Sequence, residues 1–319
     1  MEEGKRKEYN IHGRNYIFTR EVKENEQIRR SFYQLARKVY GLDFEPWYEN
    51  GYWGNNYIPY VLMEEDTVVA NISVNIMSTR WQDQPKRYIQ LGTVMTDENY
   101  RGRGLSRFLM EKILADWKDR CDSLYLFANN SVLEFYPKFG FERAPEYQCQ
   151  KIIPRREGQN SGNSMNQKAR VTVKKLAMSQ AKDRLLLQNL YRYSNPYSAL
   201  PMEENEGLLM FYCSQFRKDN VYSIASCETI VIAEYEEAGE KLICYDIFGK
   251  GKCSLEEIID FMAKENTKTV LLGFPPKQTF GFTIHEYCQE EEDTTLFLLQ
   301  EKENLFRDNK LMFPLLSHA

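Results

Sequence analysis

The sequence predicts an α/β chain of two domains, and three observations carry that prediction. Strand-like and helix-like patterns alternate through residues 15–153, and a similar rhythm returns between residues 185 and 299. Between them lies Gly158-Gln159-Asn160-Ser161-Gly162-Asn163-Ser164, a polar, glycine-bearing stretch with the composition of a linker. A length of 319 residues exceeds one ordinary domain. Hydrophobic residues at 42% and charged residues at 28% suit a globular chain. The expected division is 1–153, a linker over 154–168, and 169–319.

Taken in order, residues 16–19 read as a strand and residues 24–40 as a helix with Ile28, Phe32, Leu35, Ala36 and Val39 on one face. The stretch 43–56 is aromatic (Phe44, Trp47, Tyr48, Tyr52, Trp53) and broken by Pro46, Gly51 and Gly54. Residues 57–63, 68–79 and 87–96 read as successive antiparallel strands, with Glu64-Glu65-Asp66 turning between the first two. A helix over 105–118 follows, then a buried strand over 124–128, a short helix at Tyr136 and a closing strand near 147–153. The second half reads as a helix (185–193), three strands (221–225, 229–235, 242–248), a helix (255–264), a short strand (270–273) and a closing strand (296–299). Phe280-Gly281-Phe282-Thr283 there echoes Phe139-Gly140-Phe141-Glu142.

Arg101-Gly102-Arg103-Gly104-Leu105-Ser106 joins a strand to a helix. A helix N-terminus leaves backbone N–H groups without intrahelical partners, and its dipole favours an anion. Glycines let the backbone curl and approach a ligand, and two arginines add positive charge. Together these make a pyrophosphate cradle. The P-loop and dinucleotide fingerprints do not fit, since there is no Lys-Ser/Thr closure and no third glycine. The pattern instead resembles motif A (R-x-x-G-x-G/A) of the GNAT superfamily, the Gcn5-related N-acyltransferases, with Ser106 where Gly or Ala is usual. Tyr136-Pro137-Lys138-Phe139-Gly140-Phe141 is similar to the family's Y-x-K-x-G-F, departing at Pro137, and Tyr136 follows Asn129 at the family's spacing.

That resemblance implies a GNAT fold, a mixed and mostly antiparallel sheet flanked by helices, followed by a second, degenerate GNAT-like domain. It implies acetyl-CoA as cosubstrate and, as acceptor, a primary amine of a small molecule or of a peptide or protein, with direct attack on the thioester. Arg101, Gly102, Arg103, Gly104, Leu105 and Ser106 would hold the pyrophosphate. Val94, Met95 and Thr96 would pair with the pantetheine arm and place an N–H against the thioester oxygen. Asn129 would orient pantetheine or a water, Phe135 would line the site, and Tyr136 would protonate the departing sulfur. The base stays open among Glu64, Glu65, Asp66, Glu98, Glu134 and a water chain. In some multi-domain relatives a terminal carboxylate enters the acceptor site, which bears on the apolar tail 312–319 ending at Ala319. His12, His285 and His318 fall in no motif and read as structural or exposed. Gly249-Lys250-Gly251-Lys252 lies on the right side of a helix for a second cradle but lacks the Arg-x-x-Gly frame.

The family's acceptor pocket commonly lies between the first helix and second strand, so Trp47, Tyr48, Tyr52 and Trp53 are candidate acceptor contacts. An aromatic loop packed on its own domain is the equal alternative. A formal net charge of −4 argues against a general nucleic-acid binder. Residues 1–153 carry 22 basic and 22 acidic side chains, and the remainder 20 and 24, so the acidic half would favour a cationic acceptor. Seven scattered cysteines without a C-x-x-C pair predict neither a disulfide framework nor a zinc site, and no metal is expected. A charged N-terminus and no membrane-length apolar run point to a cytoplasmic protein, monomeric or homodimeric. The competing reading is a CoA-binding sensor or scaffold without turnover, its second half holding a partner.

Overall fold

The computed structural model describes residues 6–154, 171–287 and 294–319. The 158–164 stretch expected to be a linker lies outside the described residues. Two sheets form the frame. The first has the order β1-β2-β3-β4-β5-β6-β15-β7, from β1 (Lys7–Ile11), β2 (Arg14–Thr19), β3 (Tyr57–Glu64), β4 (Thr67–Trp81), β5 (Gln84–Thr96), β6 (Ser123–Ala128), β7 (Phe141–Arg143) and β15 (Thr295–Leu299). Every pairing in it is antiparallel except β5 with β6.

Alternation along the strands sends one set of side chains to each face. Tyr60, Leu62, Ile72, Val74, Ile89, Leu91, Leu124 and Leu126 meet α3 (Leu105–Trp117) through its Leu105, Leu109, Met110 and Ile113. Val61, Met63 and Val68 meet α1 (Glu26–Tyr40) through Ile28, Phe32 and Leu35. Helix α1 starts where the Asn25 side chain accepts from Ile28 N–H at 3.2 Å, and it stops at left-handed Gly41. The aromatic stretch contributes a short helix, α2 (Glu45–Glu49).

The second sheet has the order β14-β8-β13-β12-β11-β10-β9, from β8 (Tyr147–Ile152), β9 (Val173–Lys175), β10 (Val221–Ile224), β11 (Thr229–Glu236), β12 (Lys241–Gly249), β13 (Thr269–Leu272) and β14 (Thr283–Glu286). Among its described residues this half has the α-helices α4 (Ala181–Tyr191), α5 (Glu206–Phe211) and α6 (Leu255–Met262). The two sheets exchange strands. β8, expected to close the first sheet, pairs with β13 and β14 of the second, while β15, expected to close the second, lies between β6 and β7 of the first. Strand periodicity reports which residues are extended and which face is apolar, but not which sheet receives them.

Two further features depart from the sequence expectations. A hairpin strand, β1, precedes the first expected strand, turning at His12-Gly13 with His12 in the left-handed region (φ 50°). Cys227 and Cys253 form a disulfide, although no disulfide framework was expected. The two residues lie 26 apart in sequence, and the β10–β11 and β12–α6 loops bring them together. Cys121, Cys149, Cys213 and Cys244 are free thiols.

Candidate functional site

The glycine loop is built as an open helix start. Gly102 and Gly104 adopt φ of 76° and 77°, conformations that cost an L side chain strain. Gly104 is the N-cap of α3 and brings no side chain to the helix end, so the first-turn N–H groups stay available for an external anion. Around it the loop is braced. Ser106 Oγ lies 2.8 Å from Thr96 Oγ1, Arg101 Nε donates to Thr96 O at 3.4 Å, and Arg103 donates to Asn99 O at 2.6 Å while lying over the Tyr100 ring. Leu105 is buried in the core below, so only its backbone can face a ligand. Over the loop sits a residue no motif indicated: a Cβ at Gly104 would stand 2.7 Å from His12 Nε2.

The equivalent place in the second half is closed. Helix α6 begins with a capping box, Ser254 Oγ accepting from Glu257 N–H at 3.2 Å and Glu257 accepting from Ser254 N–H at 2.8 Å. Glu228 occupies the lysines of the Gly249–Lys252 segment, pairing with Lys250 at 2.6 Å and with Lys252. Those two ammonium groups hold its carboxyl down at about 2.

The edge from which the resemblance draws the pantetheine contacts is irregular. Pairing of β4 with β5 shifts from Asn71 opposite Met95 to Ser73 opposite Gly92, so Thr93 and Val94 together face Ile72. Thr93 adopts φ 48°, an outlier for a β-branched residue. Side chains from three elements pin the bulge. Asn71 donates to Thr93 O at 2.7 Å, Tyr57 OH meets Thr93 Oγ1 at 3.0 Å, and Tyr40 OH donates to Val94 O at 2.7 Å. Tyr40, Tyr57 and Thr93 were invisible in the sequence, because each acts through a contact 36 or 54 residues away. Met95 points into the α1 core.

A cavity of about 470 Å³ opens beside the bulge, and Val94, Ser106, Phe135 and Tyr136 line it together. Tyr136 starts the 3-10 turn Tyr136–Phe139, which ends at left-handed Gly140. Its ring is buried against Phe135, Phe141 and Phe297, the last on the exchanged strand β15. Burial raises the phenol above its ordinary value, so it stays protonated through neutral pH. Asn129 is exposed and caps the preceding turn, its Oδ1 accepting from Ser131 N–H at 3.1 Å and from Ser131 Oγ.

The four aromatic candidates separate. Trp47 and Trp53 are buried at 4% and 2% exposure, stacked 5.4 Å apart in a cluster with Phe44, Tyr57 and Phe211. Tyr48 is half-buried beneath Arg29. Tyr52 joins Trp47, Tyr57, Glu204 and Glu206 around a cavity of about 300 Å³ on the seam between the halves. The tail also reaches the site. His318 stacks on Phe127 at 3.8 Å, Tyr212 OH donates to His318 O at 2.7 Å, and a Cβ at Gly92, beside the bulge, would collide with the main-chain carbonyl of Ala319. Burial holds the His318 imidazole neutral, its value pushed down to about 3. Among the described residues, no group of three or more His, Cys, Asp or Glu gathers to hold a metal ion, and no helix is long and apolar enough to cross a membrane.

Residues 19–144 match the family model described as an acetyltransferase (GNAT) domain. A 54-residue segment is 41% identical to a Glycine max protein named histone acetyltransferase TAP1, covering 17% of this chain and 23% of that one. A second Glycine max protein, probable acetyltransferase TAP2, matches at 41% over 54 residues and 22% of its length. The chain thus aligns with less than a quarter of these curated relatives. A solved probable N-acyltransferase from Enterococcus faecalis V583 superposes with a TM-score of 0.56 and 11% identity, over 93% of this chain and 72% of that one. A GCN5-related N-acetyltransferase from Kribbella flavida gives 0.54 and 14%, over 89% and 70%, and Eis1 from Mycobacterium abscessus gives 0.52 and 12%, over 86% and 71%. At such identities the likeness is one of fold, and it extends over both sheets.

Proposed function

We propose that this chain, whose residues 19–144 match the acetyltransferase (GNAT) domain, transfers an acetyl group from acetyl-CoA to a primary amine. The observation that carries the reading is the cavity on which Val94, Ser106 and Tyr136 converge, beside an uncapped α3 N-terminus. The residues present fit the cosubstrate: left-handed Gly104 with no capping side chain suits a pyrophosphate, and the bulged strand offers backbone to a pantetheine arm. Acetyl-CoA supplies an activated thioester carbon. The residues of this chain then have three tasks. The cradle N–H groups bind the diphosphate charge. The pinned bulge fixes the backbone of residues 93 and 94, so a main-chain N–H there would meet the reacting carbonyl without reorganisation. Tyr136, kept neutral by burial, would donate its proton to the leaving sulfur as the new N–C bond replaces the C–S bond, while the proton shed by the amine nitrogen passes to water and solvent reprotonates the phenol.

For the acceptor, we propose a cationic amine entering along the seam. Tyr52 offers an aromatic face there, and Glu204 and Glu206 bring carboxylates from the second half. Tyr57 connects the two places, lining the seam cavity while its hydroxyl meets Thr93 in the bulge. The first test is calorimetric titration with acetyl-CoA on the wild type and on Gly104→Glu, followed by thiol release across a panel of amines. One site per chain, lost in the variant, and release with cationic amines are expected. Binding without release for any amine would leave a CoA-binding scaffold, and no binding would end the reading.

A further inference from the structure

The hairpin β1–β2 lies along the outside of α3, with Tyr9 packed 4.8 Å from Phe108 and Lys112 over the Tyr9 ring. This packing carries the turn to the start of α3. The turn itself is stiff: Asn10 Oδ1 accepts from Gly13 N–H at 3.1 Å, and Asn10 Nδ2 donates to Asn15 at 2.8 Å. His12 therefore has a fixed base, and its ring is exposed except where Nε2 and Cδ2 lie over Gly104. The imidazole fills the volume that glycine leaves open at the cradle, 2.7 and 3.0 Å from where a Cβ would stand. His12 Nε2 thus stands beside the helix start whose first-turn N–H groups would hold a diphosphate, close enough to share that ligand.

We propose that His12 is a cosubstrate-binding residue that donates from Nε2 to the diphosphate, making the N-terminal hairpin one wall of the cradle. The proposal rests on the acetyl-CoA reading above. It adds a side chain outside residues 19–144 to the site, and it gives β1, otherwise an edge strand, a function. Arg14 on the same hairpin and Arg101, Arg103 and Arg107 around the loop keep the neighbourhood cationic, so His12 supplies direction rather than the bulk of the charge.

The test compares His12→Asn with His12→Gln. Asparagine tolerates the left-handed backbone of the turn but is too short to reach the cradle. Glutamine restores an N–H donor at roughly the reach of Nε2. Calorimetry with CoA should show affinity about fivefold weaker in His12→Asn, a loss of one charge-assisted or neutral hydrogen bond, with partial recovery in His12→Gln. The same factor should appear with 3′-dephospho-CoA, which keeps the diphosphate. Unchanged or tighter binding in His12→Asn would overturn the proposal, the latter meaning that the ring obstructs the cradle. A loss seen with CoA but absent with dephospho-CoA would also overturn it, assigning the contact to the 3′-phosphate. Wild-type protein that binds neither ligand would instead sink the acetyl-CoA reading. Far-UV circular dichroism and melting of both variants establish that the fold is intact.

Discussion

At the scale of single residues, burial does most of the chemical tuning in this chain. Tyr136 has its ring packed among aromatics, and its proton is held because the ionised form would be poorly solvated there. Tyr136→Phe keeps that packing and removes only the hydroxyl. CoA affinity should therefore stay near wild type while turnover of the best amine falls about a hundredfold at neutral pH, the usual range for losing a general acid. Equal turnover in a stopped assay would move the acid role elsewhere. Glu146 is a second case with a different consequence. It is buried beneath the tail, accepts from Phe313 N–H at 2.8 Å, and has its carboxyl pushed up to about 8. Asp246, buried beside Asn195, is raised to about 7.

The sign follows from which state holds more protons. Between about pH 4.5 and 8 the unfolded chain ionises Glu146 while the folded chain keeps it protonated, so stability falls as pH rises through that window. Glu146→Gln retains an acceptor for Phe313 N–H and cannot ionise. Thermal melts from pH 5 to 9 should show a flatter profile for the variant and a higher melting temperature than wild type at pH 8.5. Parallel profiles would mean that Glu146 ionises without penalty in the folded state.

At the scale of elements, the exchanged strands decide what can fold alone. β15 fills the gap between β6 and β7, and its Phe297 supports the ring of Tyr136. A fragment ending at residue 153 would lack β15, leaving β6 and β7 with unpaired edges and carrying β8 without β13 and β14. Such a fragment is expected to aggregate or remain molten, and adding residues 169–319 as a separate chain should recover soluble protein. A soluble fragment with a cooperative melt would refute this. Two helix starts of similar placement show the same logic in miniature. Gly104 leaves α3 open to a ligand, whereas Ser254 and Glu257 close α6 with their own side chains.

At the scale of the whole molecule, the tail ties the two halves to the candidate site. Phe313 stacks on Tyr125 at 3.9 Å, His318 covers Phe127, and Tyr212 of the second half holds His318 O. Gly92 is the position on β5 that admits Ala319, since a methyl group there would strike its carbonyl. Gly92→Ala should therefore lift the end of the tail. Hydrogen exchange over residues 315–319 should accelerate at least tenfold, with turnover reduced and acetyl-CoA affinity retained. Unaltered exchange would show that the tail adapts to the added methyl. The seam matters in the same way, because Trp47 Nε1 donates to Gly207 O at 2.7 Å across it, so this member of the aromatic stretch joins the two halves.

Legible in the sequence alone were the GNAT-domain resemblance of the first half, the glycine turn that opens α3 and most of the succession of strands and helices. These rest on local chemistry: glycines at strained turns, apolar periodicities of two and 3.6, and short motifs such as Arg101–Ser106 and Tyr136–Phe141, whose meaning is carried within six residues. The short turn at Tyr136 and both long helices were legible for the same reason. Relations between distant segments were fixed by the folded chain alone. They include which sheet receives β8 and β15, the burial of Trp47 and Trp53, the pairing of Cys227 with Cys253, and the hold of Tyr40 on Val94. They also include His12 above Gly104 and Ala319 at Gly92. A periodic pattern states that a face must be covered but is indifferent to what covers it. That choice belongs to the packing of the complete chain, where one arrangement buries both apolar faces and pairs both sets of strand edges at once.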